Sequence, residues 1–224
     1  MKMRLPAYLF FDLDGTILDS LPGVEYSVKA AFDSCGIPLR KTSLRQLIGP
    51  PIRTILSQAG EIKEIDVLDQ LEGAFRRSYD TEGWRKTICF PGAPAVLRTM
   101  QERGHRHFVV SNKPRHIALR ILENEGMLDL FGEVLTSDSR SPAFQGKAEM
   151  IGLLMARHGI AGENCLFVGD TMEDAHAAAA AGVGFVYMTH GYGEIVETPD
   201  LPVTLRFESF SRFLPYLIEE PVCD

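Results

Sequence analysis

Three acidic side chains, Asp12, Asp14 and Asp19, crowd into the stretch FFDLDGTILDS at 10–20, directly after an apolar run. Carboxylates at such spacing repel, so either a turn separates them or their charge is used. Polar residues close other apolar runs too: Ser111 and Asn112 follow HFVV, and Asp170 follows CLFVG. Several carboxylates gathered in one place have raised pKa values or need a counter-cation, because like charges and burial both disfavour ionisation. Mg²⁺ would meet that need, as a hard cation that takes carboxylate oxygens and completes its shell with water and a substrate phosphate. Asp174 lies four residues after Asp170 and shares its face on a helix, where it can hold water, metal or a nearby lysine from outside the first ring of ligands.

Such a cluster can do phosphoryl chemistry. One carboxylate can attack as a nucleophile, forming an aspartyl-phosphate that divides a difficult displacement into two easier steps. A second, two residues on and pointing the other way along a strand-like segment, can protonate the leaving oxygen and later deprotonate water. Ser111, backbone N–H groups near Gly15, Lys147 and the cation could stabilise the transferring oxygens.

The elements that must hold these residues are legible as alternating patterns. Apolar runs at 8–12, 107–112, 133–138, 165–170 and 184–189 read as buried strands, separated by helical stretches at 92–103, 114–125, 147–158 and 172–182. That alternation predicts an α/β fold with a doubly wound parallel sheet, whose ligands sit beyond the carboxyl ends of the strands. AAAAAG at 177–182 reads as a close-packed helix end. Residues 20–85 show amphipathic helical patterns at 21–35, 43–59 and 64–80 and no convincing strand, so they read as a helical insert. DSLPG at 19–23 and TEGWRKTICFPG at 81–92 carry the glycines and prolines expected of two connecting hinges, with Trp84 packed at one of them.

Thirty acidic against 23 basic residues give a formal net charge of −7, which argues against a nucleic-acid or anionic-membrane binder and leaves room for a small anionic substrate. Cys35, Cys89, Cys165 and Cys223 are dispersed and read as reduced thiols. The apolar stretch near the N-terminus is broken by Pro6 and ends at Asp12, too short for a signal peptide or a membrane span, and a cytoplasmic protein is expected.

The ordered set DLDGT (12–16), VVSN (109–112), Lys147 and GDTMED (169–174) resembles the haloacid dehalogenase-like superfamily of aspartate-nucleophile phosphatases. The resemblance implies a Rossmann-like core, residues 1–19 and 86–224, with a small α-helical cap at 20–85 inserted after the first motif. It implies Asp12 as nucleophile, Asp14 as general acid/base, Ser111 as phosphate ligand with Asn112 beside it, and Lys147 as the charge-stabilising lysine. Mg²⁺ would be bound by Asp12, Asp170 and the backbone carbonyl of Asp14. FPGAP (90–94), SNKP (111–114) and HGYG (190–193) look most like the phosphoglycolate phosphatase branch, which makes a small phosphorylated metabolite the expected substrate. In many relatives the lysine is followed by proline, whereas here QGKAEM stands, so Lys113 remains a rival for the role of Lys147.

The plainer readings stand beside these. Asp14–Thr16 is a common turn pattern, Ser111 and Asn112 are ordinary caps before a Pro114 helix start, and Asp174 and Lys147 are compatible with solvent. Arg53, in GPPIRTIL, is a candidate contact for a substrate carboxylate or simply a surface arginine; His176 and His190 carry no assigned role. The alternatives to a phosphatase are a phosphosugar mutase of the β-phosphoglucomutase type and a non-catalytic binding protein on the same fold. Oligomeric state is not legible.

Overall fold

The computed structural model describes residues 5–41 and 43–217. They fold as two units, one holding the residues up to Leu18 and from Cys89 onward, the other Asp19–Ile88.

In chain order the elements are β1 (Tyr8–Phe11), β2 (Leu18–Asp19), α1 (Leu21–Cys35), α2 (Ile52–Gly60), α3 (Ile65–Thr81), β3 (Ile88–Cys89), α4 (Ala93–Glu102) and β4 (Arg106–Ser111). There follow α5 (Arg115–Asn124), β5 (Phe131–Thr136), α6 (Lys147–His158), β6 (Cys165–Gly169), α7 (Met172–Ala181), β7 (Gly184–Met188) and β8 (Leu205–Phe207). Six strands form one parallel sheet in the order β5-β4-β1-β6-β7-β8, and β2 and β3 pair separately. The expected α/β doubly wound sheet is therefore present. From β1 the chain builds outward to β4 and β5, then returns to the other side of β1 with β6. That reversal opens a crevice at the carboxyl end of β1, where such sheets bind ligands.

Both faces of the sheet are covered, so the central strands need no alternation of polar and apolar residues. On one face Phe10, Phe108, Phe167 and Phe185 pack with Met150, Ile151 and Leu154 of α6 and Ala175 and Ala178 of α7. Each large side chain so buried contributes roughly 1.5–3 kcal/mol. Helix spacing follows the same demand: α4 buries Ala93, Val96, Leu97 and Met100, and α5 buries Ile117, Ala118, Ile121 and Leu122, single stripes facing inward. At the end of α7, Gly182 takes the left-handed conformation (φ 70°) that closes the alanine run.

The second unit is helical. Val28, Ala31 and Phe32 of α1 and Leu68, Leu71 and Phe75 of α3 line its interior, with Ile55, Leu56 and Ala59 contributed by α2.

Several expectations shift. A continuous helix over 43–59 does not form: residues Arg45–Leu47 make one short 3₁₀ turn and α2 starts only at Ile52. Gly49-Pro50-Pro51 interrupts it, since proline lacks the N–H and forces the preceding residue out of helical geometry. DSLPG begins where the two units meet, at Asp19, and α1 starts within it at Leu21 with Pro22 in its first turn, where the missing N–H is no loss. Trp84 is buried within a 3₁₀ turn at Gly83–Lys86. The strand expected at 133–138 is β5, two residues earlier, because the Ser139 hydroxyl takes up the Thr136 N–H and turns the chain away. The short strands β2, β3 and β8 were not expected. Cys35, Cys89 and Cys165 are free thiols, and Cys223 lies outside the described residues. No helix among the described residues is long and apolar enough to cross a membrane.

Candidate active site

Asp12 follows β1 directly and is buried, its backbone N–H donating to Val168 O (2.9 Å), so the end of β1 is locked to β6 where the crevice opens. After it the chain turns sharply. Leu13 O accepts from the N–H groups of Thr16, Ile17 and Leu18, and Gly15 sits at φ 84°. The plain turn reading of Asp14–Thr16 is thus true of the backbone, and the turn is what separates the two carboxylates. Glycine is required at 15 twice over, since a Cβ there would also lie 2.2 Å from Asp170 Oδ2.

Each of the two aspartates meets its own lysine. Lys147, in the first turn of α6, places Nζ 3.0 Å from Asp12 Oδ1 and 2.6 Å from Asp174 Oδ1, all three side chains being buried. Burial alone would lower the lysine's pKa, but Asp12 and Asp174 outweigh it and the net shift is upward, so the ammonium stays charged. Lys113 instead reaches Asp14 with Nζ 2.8 Å from Oδ1 and 3.1 Å from Oδ2. The two candidate lysines are thereby separated, Lys147 lying beside Asp12 and Lys113 beside Asp14.

Asp170 follows β6 and is fully enclosed. Its Oδ1 accepts from the Thr16 hydroxyl (3.1 Å) and its Oδ2 from Tyr192 N–H (2.8 Å). Asp174 is committed elsewhere: Oδ1 accepts from Lys147, and Oδ2 accepts from Asp170 N–H (3.2 Å), Thr171 N–H (3.0 Å) and the Thr171 hydroxyl (2.6 Å). With Thr171 it forms a capping box that starts α7, so one residue fixes both the helix and the lysine.

Asp12, Asp170 and Asp174 bring one carboxylate oxygen each to within 4.8 Å of one another. Burial pushes Asp12 up to about 8, with Asp174, Asp170 and Asp14 adding to the rise and Lys147 opposing it. Burial, and then Asp174, push Asp170 up to about 6 against the donors from Tyr192 and Thr16 and the charge of Lys147. Two enclosed carboxylates, each driven toward protonation, with a third already satisfied, are an all-oxygen donor set that suits a hard divalent cation. Asp12 and Asp170 would hold it, and Asp174 supports from behind. The Asp14 side chain is occupied by Lys113 rather than by this cluster.

Ser111 ends β4, the strand next to β1, and is buried; its Oγ accepts from Lys113 N–H (3.3 Å), which leaves its own proton free to donate. Asn112 is exposed, and its amide donates to Glu173 Oε1 (2.7 Å). Arg53 lies in the helical unit, where its guanidinium donates to Asp69 Oδ1 (2.5 Å) and Glu72 Oε2 (3.3 Å) and ties α2 to α3. His176 is exposed on α7, whereas His190 Nε2 is 3.0 Å from Thr16 O. Thr16, Thr171, Tyr192, Gly191 and Gly193 stand inside the motifs DLDGT, GDTMED and HGYG, but the sequence assigns none of them a role at Asp170 or Asp174. The T-x-x-D spacing of 171–174 was a readable signal for the cap.

A family model described as Haloacid dehalogenase-like hydrolase matches residues 9–188. A phosphoglycolate phosphatase from Rhodobacter capsulatus is 32% identical over 218 residues, covering 94% of this chain and 96% of that protein. Another, from Nitrosococcus oceani, is 29% identical over 206 residues, 88% of this chain and 90% of the relative. A solved hydrolase of the haloacid dehalogenase-like family from Streptococcus pneumoniae superposes with a TM-score of 0.82 at 23% identity, over 95% of this chain and 98% of that one, a likeness of fold.

Proposed function

Because this chain belongs to the haloacid dehalogenase-like hydrolase family and is an enzyme of its phosphatase class, we propose that it hydrolyses a small phosphorylated metabolite, with 2-phosphoglycolate the leading candidate. The proposed reaction passes through an aspartyl-phosphate on Asp12 and uses Mg²⁺ held by Asp12, Asp170 and the Asp14 carbonyl. Free, dispersed thiols at Cys35, Cys89 and Cys165 support a reducing, cytoplasmic setting. The helical unit would act as the cap that selects substrate.

The observation that carries the reading is the pairing of Asp12 with Lys147 at 3.0 Å, at the carboxyl end of β1 and beside Asp170. Lys147 opposes protonation of Asp12 and aims its oxygen, and supplies positive charge to the phosphoryl group as it transfers. The Ser111 hydroxyl donates to a second phosphoryl oxygen. When bound, Mg²⁺ offsets the clustered carboxylates and stabilises charge on the phosphoryl oxygens. An Asp12 oxygen forms a bond to phosphorus as the ester P–O bond breaks, and the leaving oxygen takes a proton from Asp14. Water then attacks the aspartyl-phosphate, Asp14 takes its proton, and orthophosphate and the Asp12 carboxylate are regenerated. Lys113, bonded to both Asp14 oxygens, orients that carboxylate.

A screen of phosphorylated metabolites with Mg²⁺, reading released orthophosphate, tests the proposal. Turnover of 2-phosphoglycolate well above the other substrates is expected. Phosphate retained on an isomerised sugar would establish the mutase instead, and no turnover of any substrate, including an aryl phosphate, would leave a binding protein.

A further inference from the structure

The loop after β7, His190-Gly191-Tyr192-Gly193, lies directly on Asp170. A Cβ on Gly191 would stand 2.3 Å from Asp170 Cβ and 2.4 Å from its Oδ2, and one on Gly193 would stand 2.6 Å from Asp170 O. Neither glycine has a positive φ, so what excludes a side chain there is closeness to Asp170 and not backbone strain. Between them, Tyr192 contributes the N–H that holds Asp170 Oδ2.

The loop is itself tied down on both sides. His190 Nε2–H donates to Thr16 O at 3.0 Å, and its ring packs on Phe90 with centroids 4.1 Å apart. Tyr187, in β7, donates its hydroxyl to Gly193 O at 2.8 Å, and Gly191 N–H donates to Met188 O at 3.3 Å. Thr16, which receives the His190 bond on its carbonyl, gives its hydroxyl to Asp170 Oδ1. Each Asp170 oxygen therefore has one fixed donor, and each keeps a second lone pair. Gly15 and Gly191 pack against the Asp170 side chain, and Gly193 against its main-chain oxygen.

We propose that His190–Gly193 is a strap that positions Asp170 for the cation, so that cation affinity depends on this loop as well as on the ligands. The inference rests on the reading of Asp170 as a metal ligand. A carboxylate already held in one rotamer loses no side-chain freedom when it binds, and the groups that orient a ligand govern affinity nearly as strongly as the ligand itself. The strap reaches no substrate atom in this account; it acts through Asp170. It also gives the HGYG stretch and His190 a physical task.

The test is calorimetric titration of Mg²⁺ into the metal-free full chain, comparing wild type with Gly191→Ala, Tyr187→Phe and Gly152→Ala. Gly152 lies in α6 with open space around its Cβ position and serves as the control. Gly191→Ala should weaken Mg²⁺ binding by about 10- to 100-fold, the range for loss of a ligand-orienting group. Tyr187→Phe, which frees only the Gly193 end, should weaken it by about 3- to 10-fold. Gly152→Ala should bind as wild type does. If Gly191→Ala does not fold, Tyr187→Phe decides. Wild-type protein that binds no Mg²⁺ would overturn the metal-ligand reading and the strap with it. Wild type that binds, with both loop variants matching it, would overturn the strap alone.

Discussion

Lys147→Met removes one ammonium from between two buried carboxylates while keeping an unbranched stem in the same space. Its partners lie at 3.0 Å on Asp12 and 2.6 Å on Asp174, with side-chain exposures of 6% and 0%, so neither can recover the interaction from water. Breaking a buried pair by deleting one partner is destabilising by about 3–5 kcal/mol, and here two carboxylates are stranded at once, which favours the upper end. For a chain of this size, about 2–4 °C per kcal/mol converts that loss to a fall of about 6–20 °C in Tm. The sign with pH follows from Asp12. Its folded pKa is raised from 3.8 to about 8 with Lys147 already opposing the rise, so removing Lys147 pushes it further up. A raised carboxylate pKa means the folded state keeps a proton that the unfolded chain releases, so stability present at low pH is lost as pH climbs through that window. The deficit of the variant should therefore be level from pH 5 to pH 7, where both folded proteins keep the Asp12 proton, and grow as pH climbs above about 8, where wild type releases it and the variant does not. Thermal unfolding followed by circular dichroism in excess chelator, at pH 7 and pH 9, measures it. A fall of less than about 3 °C at pH 9, or one no larger at pH 9 than at pH 7, would refute the assignment of Lys147 as the buried counter-charge. Lys113→Met should be milder, because Asp14 is 28% exposed and can rehydrate.

Wild-type protein in chelator should itself lose stability between pH 5 and pH 8, by the same linkage through Asp12 and Asp170. Added Mg²⁺ should then raise Tm more at pH 8 than at pH 5, where it competes with protons; equal stabilisation at both would count against those carboxylates as ligands. Asp12→Asn should give no covalently labelled protein when substrate carrying labelled phosphate is quenched in acid, and retained label would move the nucleophile elsewhere. Since Arg53 is already engaged by Asp69 and Glu72, Arg53→Ala should change kcat/KM for 2-phosphoglycolate by no more than about threefold. A loss of 10-fold or more on 2-phosphoglycolate but not on an aryl phosphate would make it a carboxylate reader after all.

The sheet was legible because its strands are buried on both faces and therefore read as unbroken apolar runs such as YLFF and CLFVG, each ended by a polar residue. Where a strand owes its existence to its neighbour, that signal fails. β8, Leu205–Phe207, is three residues at the sheet edge and is recruited by pairing with β7; no run of its own announces it. In the helical unit the amphipathic period marks which residues face inward, and glycine and proline decide where each helix starts. The hydrophobic spacing of 43–59 carries on through Gly49-Pro50-Pro51, and the backbone does not.

Within the site, residue types at strand ends were readable and their pairing was not. Lys113 and Lys147 are both long cations following a polar stretch, and composition offers no reason to send one to Asp14 and the other to Asp12. The choice is made by the elements that carry them. Lys113 leaves β4, which pairs with β1 so that Phe11 stands opposite Val109, and it emerges beside the turn that holds Asp14. Lys147 opens α6, a helix anchored through Met150, Ile151 and Leu154 to the sheet face shared with α7, and α7 brings Asp174. A lysine between Asp12 and Asp174 is thus a consequence of helix packing, set by apolar contacts several residues from the charge. The same holds for Asp170: its carboxylate type is written at the end of β6, but its rigidity comes from Thr16 and Tyr192, which enter from two other strand ends. Chemistry at the carboxyl edge of this sheet depends on residues contributed by separate βα loops, and only the folded register decides which of them meet.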